Sequence, residues 1–224
     1  MRLELPRPVE VDIDEAMRYL RAKKEPSLLN DLSSAAAGLK SVLRPAAAAV
    51  CFGLERREGL LFCGGFQLPG KSITAHFEGC DRCIALGVTI GFEADRLIST
   101  LGHTDPYRAL LTDACATAAV EDLADMATFA AREAFAPDSA ITFRFSPGYG
   151  DLPLDLQPTL LEMIDARRML GLTVSKSMLL SPIKSVTAFI GLKSGSCGDN
   201  VIRHDCKNCF MNKTCQYKSS LTKG

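Results

Sequence analysis

The 224-residue sequence has no excess charge of either sign, because 26 Lys and Arg residues balance 26 Asp and Glu residues. Proteins that bind nucleic-acid phosphates usually carry a basic excess, so this balance argues against a nucleic-acid partner. Long hydrophobic runs are also missing, and the longest apolar stretches, such as residues 46–54, are far too short to span a bilayer. The amino-terminal segment has no apolar signal-peptide core, since Pro6 and Pro8 interrupt it. We therefore expect a cytoplasmic protein without a membrane partner.

Signatures of common enzyme classes are missing as well. The chain has no phosphate-binding P-loop, no glycine-rich dinucleotide motif after a strand and no Gly-x-Ser-x-Gly nucleophile turn. His76 and His103 stand without a recognisable nucleophile or carboxylate partner in the sequence. Independent hydrolase or dehydrogenase activity therefore has no support.

The hydrophobic pattern mixes helices and strands. Amphipathic spacing predicts helices over residues 12–22, 27–43, 107–135 and 158–170. Strands are predicted over residues 60–68, 72–77, 84–90, 140–145, 173–179 and 185–192. Because these elements do not alternate strictly, we expect an α+β fold with helices packed against a mainly antiparallel, twisted sheet.

The composition changes abruptly near the carboxyl terminus, where the chain becomes polar and rich in cysteine. This stretch has few apolar side chains from which to build a core. We therefore divide the chain into a main domain, residues 1–192, and a Cys-rich appendage, residues 193–224.

The most informative segment of the main domain is RFSPGYG, residues 144–150. A predicted strand leads into this turn, where one Pro and two Gly residues permit backbone conformations that leave N–H and C=O groups facing open space. Such groups commonly hold small ligands, and the planar guanidinium of Arg144 can bind a carboxylate through two hydrogen bonds. The alternative interpretation is a hairpin corner with a surface arginine.

This turn resembles the Arg-Pro-Ala-Pro-Gly-Tyr-Pro loop of the activation domain of cobalamin-dependent methionine synthase. The matching positions are Arg144, Pro147, Gly148 and Tyr149. A second segment, KSMLLSPIKSVT at residues 176–187, resembles that family's Glu-Ser-x-x-Met-x-Pro-x-x-Ser-Val-Ser. Upstream, DACATAAVE at residues 113–121 resembles a family helix that carries an Asp and, eight residues later, a Glu. The resemblance spans residues 60–192, with a further match at Asp14.

The resemblance implies that the main domain binds S-adenosylmethionine. Arg144 is expected to bind the methionine carboxylate, and the backbone of residues 147–149 the adenosyl group. Glu121 and Asp14 are candidate partners for the ammonium group or the ribose. Tyr149 is expected to approach the corrin ring and is the candidate catalytic residue. The implied ligand-binding set is Arg144, Ser146, Pro147, Gly148, Tyr149, Gly150, Glu121 and Asp14.

Two positions depart from the family pattern. Lys176 replaces the Glu that begins the second motif, which alters the charge beside the site. Ile190 stands where the family has an aromatic residue that contacts the ligand.

The resemblance also implies an accessory role in the reductive reactivation of a cobalamin-dependent methionine synthase. S-adenosylmethionine would be held with its methyl group facing the reduced cobalt. No Asp-x-His-x-x-Gly motif, whose His ligates cobalt, occurs in the chain, so a partner must supply the cobalamin. The expected partners are a methionine synthase that lacks its own activation domain and an electron donor such as ferredoxin or flavodoxin.

The appendage contains Cys197, Cys206, Cys209 and Cys215 in the spacing C-x8-C-x2-C-x5-C. Thiols stay reduced in the cytoplasm, and closely spaced thiolates suit a tetrahedral metal or a cluster. A 4Fe–4S cluster is favoured over zinc because reactivation needs electrons. The alternative is a tail whose thiols are reduced and bind no metal.

The main domain contributes five further cysteines. Cys80 and Cys83 form a C-x2-C pair, which is typical of redox-active and metal-binding sites but also fits a strand that buries Cys83. Cys51, Cys63 and Cys115 lie in apolar runs and are expected to pack in the core.

Two other functions remain open from the sequence. One is a non-catalytic binding or scaffold module for cobalamin proteins that carries a structural zinc. The other is a small iron–sulfur electron carrier for such proteins.

Overall fold

A computed structural model describes residues 1–194 of the chain. Its helices are α1 (Ile13–Leu20), α2 (Pro26–Val42), α3 (Lys71–His76), α4 (Phe92–Thr104), α5 (Pro106–Phe135), α6 (Gln157–Met163) and α7 (Ala166–Leu170). Its strands are β1 (Ala46–Arg57), β2 (Leu60–Cys63), β3 (Phe66–Leu68), β4 (Arg82–Thr89), β5 (Ala140–Ile141), β6 (Thr173–Val174), β7 (Leu180–Ser181) and β8 (Ser185–Lys193). A short 3₁₀ helix, Leu154–Leu156, precedes α6.

The main sheet has six strands in the order β3-β2-β1-β4-β8-β5. Every neighbouring pair is antiparallel. The central strand β4 pairs with β1 on one side and β8 on the other, so that Leu86 lies opposite both Ala49 and Ala188. Strands β6 and β7 form a separate antiparallel pair. The predicted α+β class with a mainly antiparallel sheet is confirmed.

Helices cover both faces of the sheet and bury β4 between them. Successive strand residues point to opposite faces. Ile84 and Leu86 pack with α1, α2 and α5, whereas Cys83 and Ala85 pack with α3, α6 and α7. The buried face of the 30-residue helix α5 is largely alanine, which lets this helix lie close to the sheet.

Several predicted elements are confirmed to within two residues at each end. Helices α1, α2 and α5 and strands β4 and β8 occupy the predicted segments. Helix α1 begins after Asp12, whose side chain accepts hydrogen bonds from the backbone N–H groups of Asp14 and Glu15. Helix α7 ends at Gly171, which has a φ of 66°.

Two predicted strands were wrong. Residues 72–77 form helix α3 and its end, because Ile73 and Phe77, four residues apart, both face the core. Residues 60–68 form a hairpin, β2–β3, instead of one strand. It turns at Gly64 and Gly65, whose φ values of 57° and 86° suit a two-residue hairpin turn.

Three other predicted elements are divided or shortened in the structure, and two long observed elements were not predicted. The predicted helix over residues 158–170 is divided into α6 and α7 at Asp165, which has a φ of 50°. The predicted strand over residues 140–145 is reduced to β5 and a bridge between Phe145 and Phe189. The predicted strand over residues 173–179 is reduced to β6. Strand β1 and helix α4 were not predicted.

The packed chain extends slightly beyond the predicted boundary at residue 192. Strand β8 runs to Lys193, and Ser194 Oγ donates a hydrogen bond of 2.8 Å to Asp81 Oδ2. Within residues 1–194, no helix combines the length and apolar character needed to cross a membrane.

Candidate functional site

Arg144 lies between β5 and the predicted ligand turn and reaches across to α5. Its Nη2 donates to Glu121 Oε2 at 2.9 Å, and its Nη1 donates to Asp125 Oδ1 at 2.6 Å. Nη1 also lies 3.4 Å from Thr128 Oγ1. The side chain of Arg144 is only 19% exposed, so the structure holds its guanidinium firmly at the surface of α5.

Spacing on α5 explains this arrangement. Glu121, Asp125 and Thr128 stand four and three residues apart, and side chains at these intervals share one face of a helix. Of the three, only Glu121 was predicted as a site residue. Asp125 and Thr128 were missed, although the helical interval from Glu121 was available as a signal.

A second cation, from outside α5, pairs with an acid on this helix. Lys184 Nζ is 2.9 Å from Asp113 Oδ1 and donates to Thr117 Oγ1 at 2.8 Å. Asp113 and Glu121 are the two acids of the α5 motif, and each pairs with a cation from outside the helix. The structure thus brings the α5 motif together with the Arg144 turn and with Lys184 of the second motif.

The turn that follows Arg144 is tightly folded. Tyr149 N–H donates to Ser146 O at 3.0 Å, Leu152 N–H to Tyr149 O at 2.9 Å, and Gly148 N–H to Leu152 O at 2.9 Å. Gly148 and Gly150 have φ values of 90° and 55°, which L side chains rarely adopt.

Exposure differs along this turn. Pro147 is buried and Ser146 half-buried, whereas the residues from Gly148 to Gly150 are exposed. The Tyr149 ring is 45% exposed and stands edge-on to Phe145, with their centroids 6.0 Å apart. Residues 148–150 of the predicted turn therefore form an exposed surface beside Arg144.

Helix α1 approaches the same site. Burial, together with the nearby carboxylates of Glu121 and Glu15, raises the pKa of Tyr19 well above its ordinary value. Tyr19 therefore lies near Glu121 and remains a neutral phenol. Asp14, on the same helix, pairs with Lys24 Nζ at 2.6 Å and is mostly exposed. Asp14 thus has a lysine as its partner, and its role in the ligand site stays a prediction.

The two departures from the family pattern occupy different environments. Lys176 is exposed in the loop between β6 and β7. Ile190 is fully buried on the side of β8 that faces α5 and lies opposite Ile84. Ile190 is therefore a core residue.

The cysteines of the main domain are mostly buried. Burial raises the pKa of the Cys80 thiol and raises that of Cys83 strongly, which opposes the thiolate that a reactive C-x2-C pair requires. Cys63 and Cys115 are buried as predicted, and Cys51 is half-buried. Among residues 1–194, no group of three or more His, Cys, Asp or Glu side chains is arranged to bind a metal.

His76 and His103, for which the sequence predicts no catalytic role, differ in environment. His76 Nε2–H donates to Phe143 O at 2.9 Å, and its ring packs on Phe143 and Phe145. Burial lowers its pKa, so the ring is neutral at neutral pH. His103 is exposed near the end of α4.

The predicted metal ligands Cys197, Cys206, Cys209 and Cys215 lie outside the described residues. A metal site in the appendage stays a prediction.

No protein-family model and no curated protein sequence matches the chain. Among solved structures, the chain is similar to the crystal structure of the MetH reactivation domain bound to AdoHcy, with a TM-score of 0.56 and 17% sequence identity. The match covers 81% of this chain and 73% of that chain. This likeness shows that the chain has the fold of a reactivation domain, as the resemblance in its motifs implied.

Proposed function

We propose that the chain binds S-adenosylmethionine beside Arg144 and donates its methyl group to a cobalamin held by another protein. In this role it reactivates a cobalamin-dependent methionine synthase that lacks its own activation domain. The observation that carries the proposal is Arg144, which pairs with Glu121 and Asp125 next to a turn whose residues 148–150 are exposed. The likeness to a reactivation domain solved with AdoHcy supports it.

Recognition of the amino-acid end of the ligand begins at Arg144. A guanidinium binds a carboxylate through two parallel hydrogen bonds. Asp125, which is 66% exposed, is the partner that the ligand carboxylate displaces. Glu121 stays paired with Arg144 and also accepts from the ligand ammonium group.

The adenosyl end lies along the turn. The backbone of Ser146, Pro147, Gly148 and Gly150 provides carbonyl acceptors and a close approach that larger side chains would block, since the Gly148 N–H already donates to Leu152 O. Asp14, on α1, serves the ribose or the ammonium group in this proposal after it leaves Lys24. The exposed ring of Tyr149 faces the partner and aligns the corrin.

The reaction transfers one methyl group. The bond between the methyl carbon and the sulfonium sulfur breaks, its electron pair stays on sulfur, and a bond forms between the methyl carbon and the reduced cobalt. One electron from a donor such as ferredoxin or flavodoxin first reduces the inactive cobalt. S-adenosylhomocysteine leaves, and the contribution of this chain is to place the sulfonium in line with the cobalt.

For the appendage, we propose that Cys197, Cys206, Cys209 and Cys215 bind a 4Fe–4S cluster or a zinc ion. Four thiolates complete either site. Protein purified without exposure to air should contain iron and sulfide, or about one zinc per chain. Elemental analysis that finds neither metal contradicts this part of the proposal.

The binding proposal is tested by calorimetry with S-adenosylmethionine. Replacing Arg144 with Ala removes a charge-assisted pair and should weaken binding by about ten- to a hundredfold. Arg144→Lys keeps the charge but loses the two-bond geometry, so it should rescue only part of the affinity.

The matched control is Arg7→Ala. Arg7 forms an ion pair of the same kind with Asp122, also on α5, at 3.0 Å. Arg7→Ala should leave the affinity for S-adenosylmethionine unchanged. No binding by the wild type, or equal affinity of wild type and Arg144→Ala, contradicts the assignment.

A further inference from the structure

Asp151 immediately follows the ligand turn and holds a distant part of the chain. Its Oδ2 accepts a hydrogen bond from Lys71 N–H at 2.7 Å, and its Oδ1 accepts one from Ser72 N–H at 2.9 Å. These two N–H groups open helix α3, and they lower the pKa of the Asp151 carboxyl. A charged carboxylate therefore ties the ligand turn to the start of α3.

Backbone contact reinforces this tie from both sides. A Cβ atom on Gly150 would lie 2.8 Å from both Cβ and Oγ of Ser72. On the other side, a Cβ on Gly70 would lie 2.7 Å from Asp151 Oδ1 and 3.1 Å from Asp151 O. Both glycines also have positive φ, so any side chain at either position would be strained and would push the turn away from α3.

The far end of α3 holds the chain on the other side of Arg144. His76 closes the helix, and its Nε2–H donates to the backbone oxygen of Phe143 at 2.9 Å. The His76 ring also lies 5.0 Å from the Phe145 ring, centroid to centroid. One short helix thus contacts the residue before Arg144 and the residue after the turn.

We propose that α3 is a clamp for residues 143–151 and that Asp151 is a positioning residue for the ligand. Asp151 touches no ligand atom in this account. It fixes the turn in the binding conformation before the ligand arrives, which removes an ordering cost from binding. The inference rests on the proposed function, since it assigns a role in the same site.

The test compares variants by calorimetry with S-adenosylmethionine and by thermal unfolding. Asp151→Ala removes both acceptors and should weaken binding about three- to tenfold, in keeping with the loss of a helix cap. Asp151→Asn keeps one acceptor oxygen and should show an intermediate affinity.

Asp105→Ala is the matched control, because Asp105 accepts from Arg108 N–H at 3.0 Å and caps α5 far from the turn. Both alanine variants should unfold at lower temperature, but only Asp151→Ala should lose affinity. Affinity that is unchanged in Asp151→Ala, or that falls equally in the two variants, overturns the positioning role.

Amide hydrogen exchange separates this inference from the proposed function. If the wild type fails to bind S-adenosylmethionine, the proposed function is wrong, and exchange then judges the clamp alone. The amides of Gly148 and Tyr149 should exchange faster in Asp151→Ala than in Asp105→Ala. Equal exchange rates in the two variants overturn the clamp.

Discussion

At the scale of single residues, the site is an arginine held between two carboxylates. One positive charge and two negative charges leave the group of Arg144, Glu121 and Asp125 with a net negative charge. S-adenosylmethionine carries a sulfonium, an ammonium and a carboxylate, so its net charge is positive. If the proposed function holds, this net charge favours binding of the methyl donor, and the exposure of Asp125 makes the attraction sensitive to salt.

His76 makes the free energy of unfolding depend on pH. Burial lowers its pKa below the ordinary 6.5, and the charge of Lys193 adds to this effect, while the hydrogen bond to Phe143 opposes it. In the unfolded chain the ring takes up a proton near pH 6.5, before the folded chain does. Acidification therefore favours the unfolded state.

We expect the free energy of unfolding to fall as the pH is lowered from about 7.5 to 5.5. One proton contributes at most about 1.4 kcal/mol per pH unit, and partial exposure of the ring reduces this. His76→Gln keeps a donor for Phe143 but cannot titrate, so urea denaturation should show a shallower pH dependence. His103→Gln, at an exposed position, controls for the loss of a histidine. Equal slopes in wild type and His76→Gln would refute the role of this ring.

At the scale of elements, sequence periodicity was sufficient to predict a helix or strand that buries one face and exposes the other. Helices α1 and α2 expose their other side, so their apolar spacing was visible. Strand β1 begins with a run of alanines that is buried on both faces and shows no alternation, so no strand was predicted there. Helix α3 and its end have only two core residues at helical spacing, Ile73 and Phe77, and a six-residue segment is too short for that spacing to distinguish a helix from a strand.

The candidate site was predictable from the sequence only in part. Arg144, Glu121 and the turn were found because they lie in recognisable motifs, and the structure brings them together. Asp125 required only the helical interval from Glu121. Asp151 could not be found from local pattern, because its partners lie 79 and 80 residues away in the sequence.

Helix α3 and strand β8 meet at a glycine. A Cβ on Gly191 would lie 2.7 Å from Cys80 Sγ and 2.9 Å from Phe77 Cδ1. Gly191→Ala should therefore destabilise the fold by about 1–3 kcal/mol through overpacking. The control is Gly102→Ala in α4, where a Cβ meets nothing within 4 Å.

We expect Gly102→Ala to be stabilising by roughly 0.5–1 kcal/mol, because alanine favours a helix. Urea denaturation of the two variants and the wild type provides the measurement. Gly191→Ala as stable as the wild type would show that β8 and the α3 end do not pack as closely as described.

At the scale of the whole molecule, different elements carry the candidate site and the last described residue, Ser194. The Arg144 site lies between α5 and the exposed turn, where Tyr149 and Leu154 are both about half exposed. The chain leaves the sheet at Ser194, which is bonded to Asp81 at the start of β4. In the proposed function, the cobalamin partner therefore docks at the exposed turn.

The most direct test of the central claim is transfer of a labelled methyl group. The chain is mixed with a cob(II)alamin-loaded methionine synthase that lacks an activation domain, a low-potential reductant and S-adenosylmethionine labelled in its methyl group. We expect label on the cobalamin with the wild type and with Arg7→Ala, and a large loss of label with Arg144→Ala. Equal labelling with and without the chain would contradict the account.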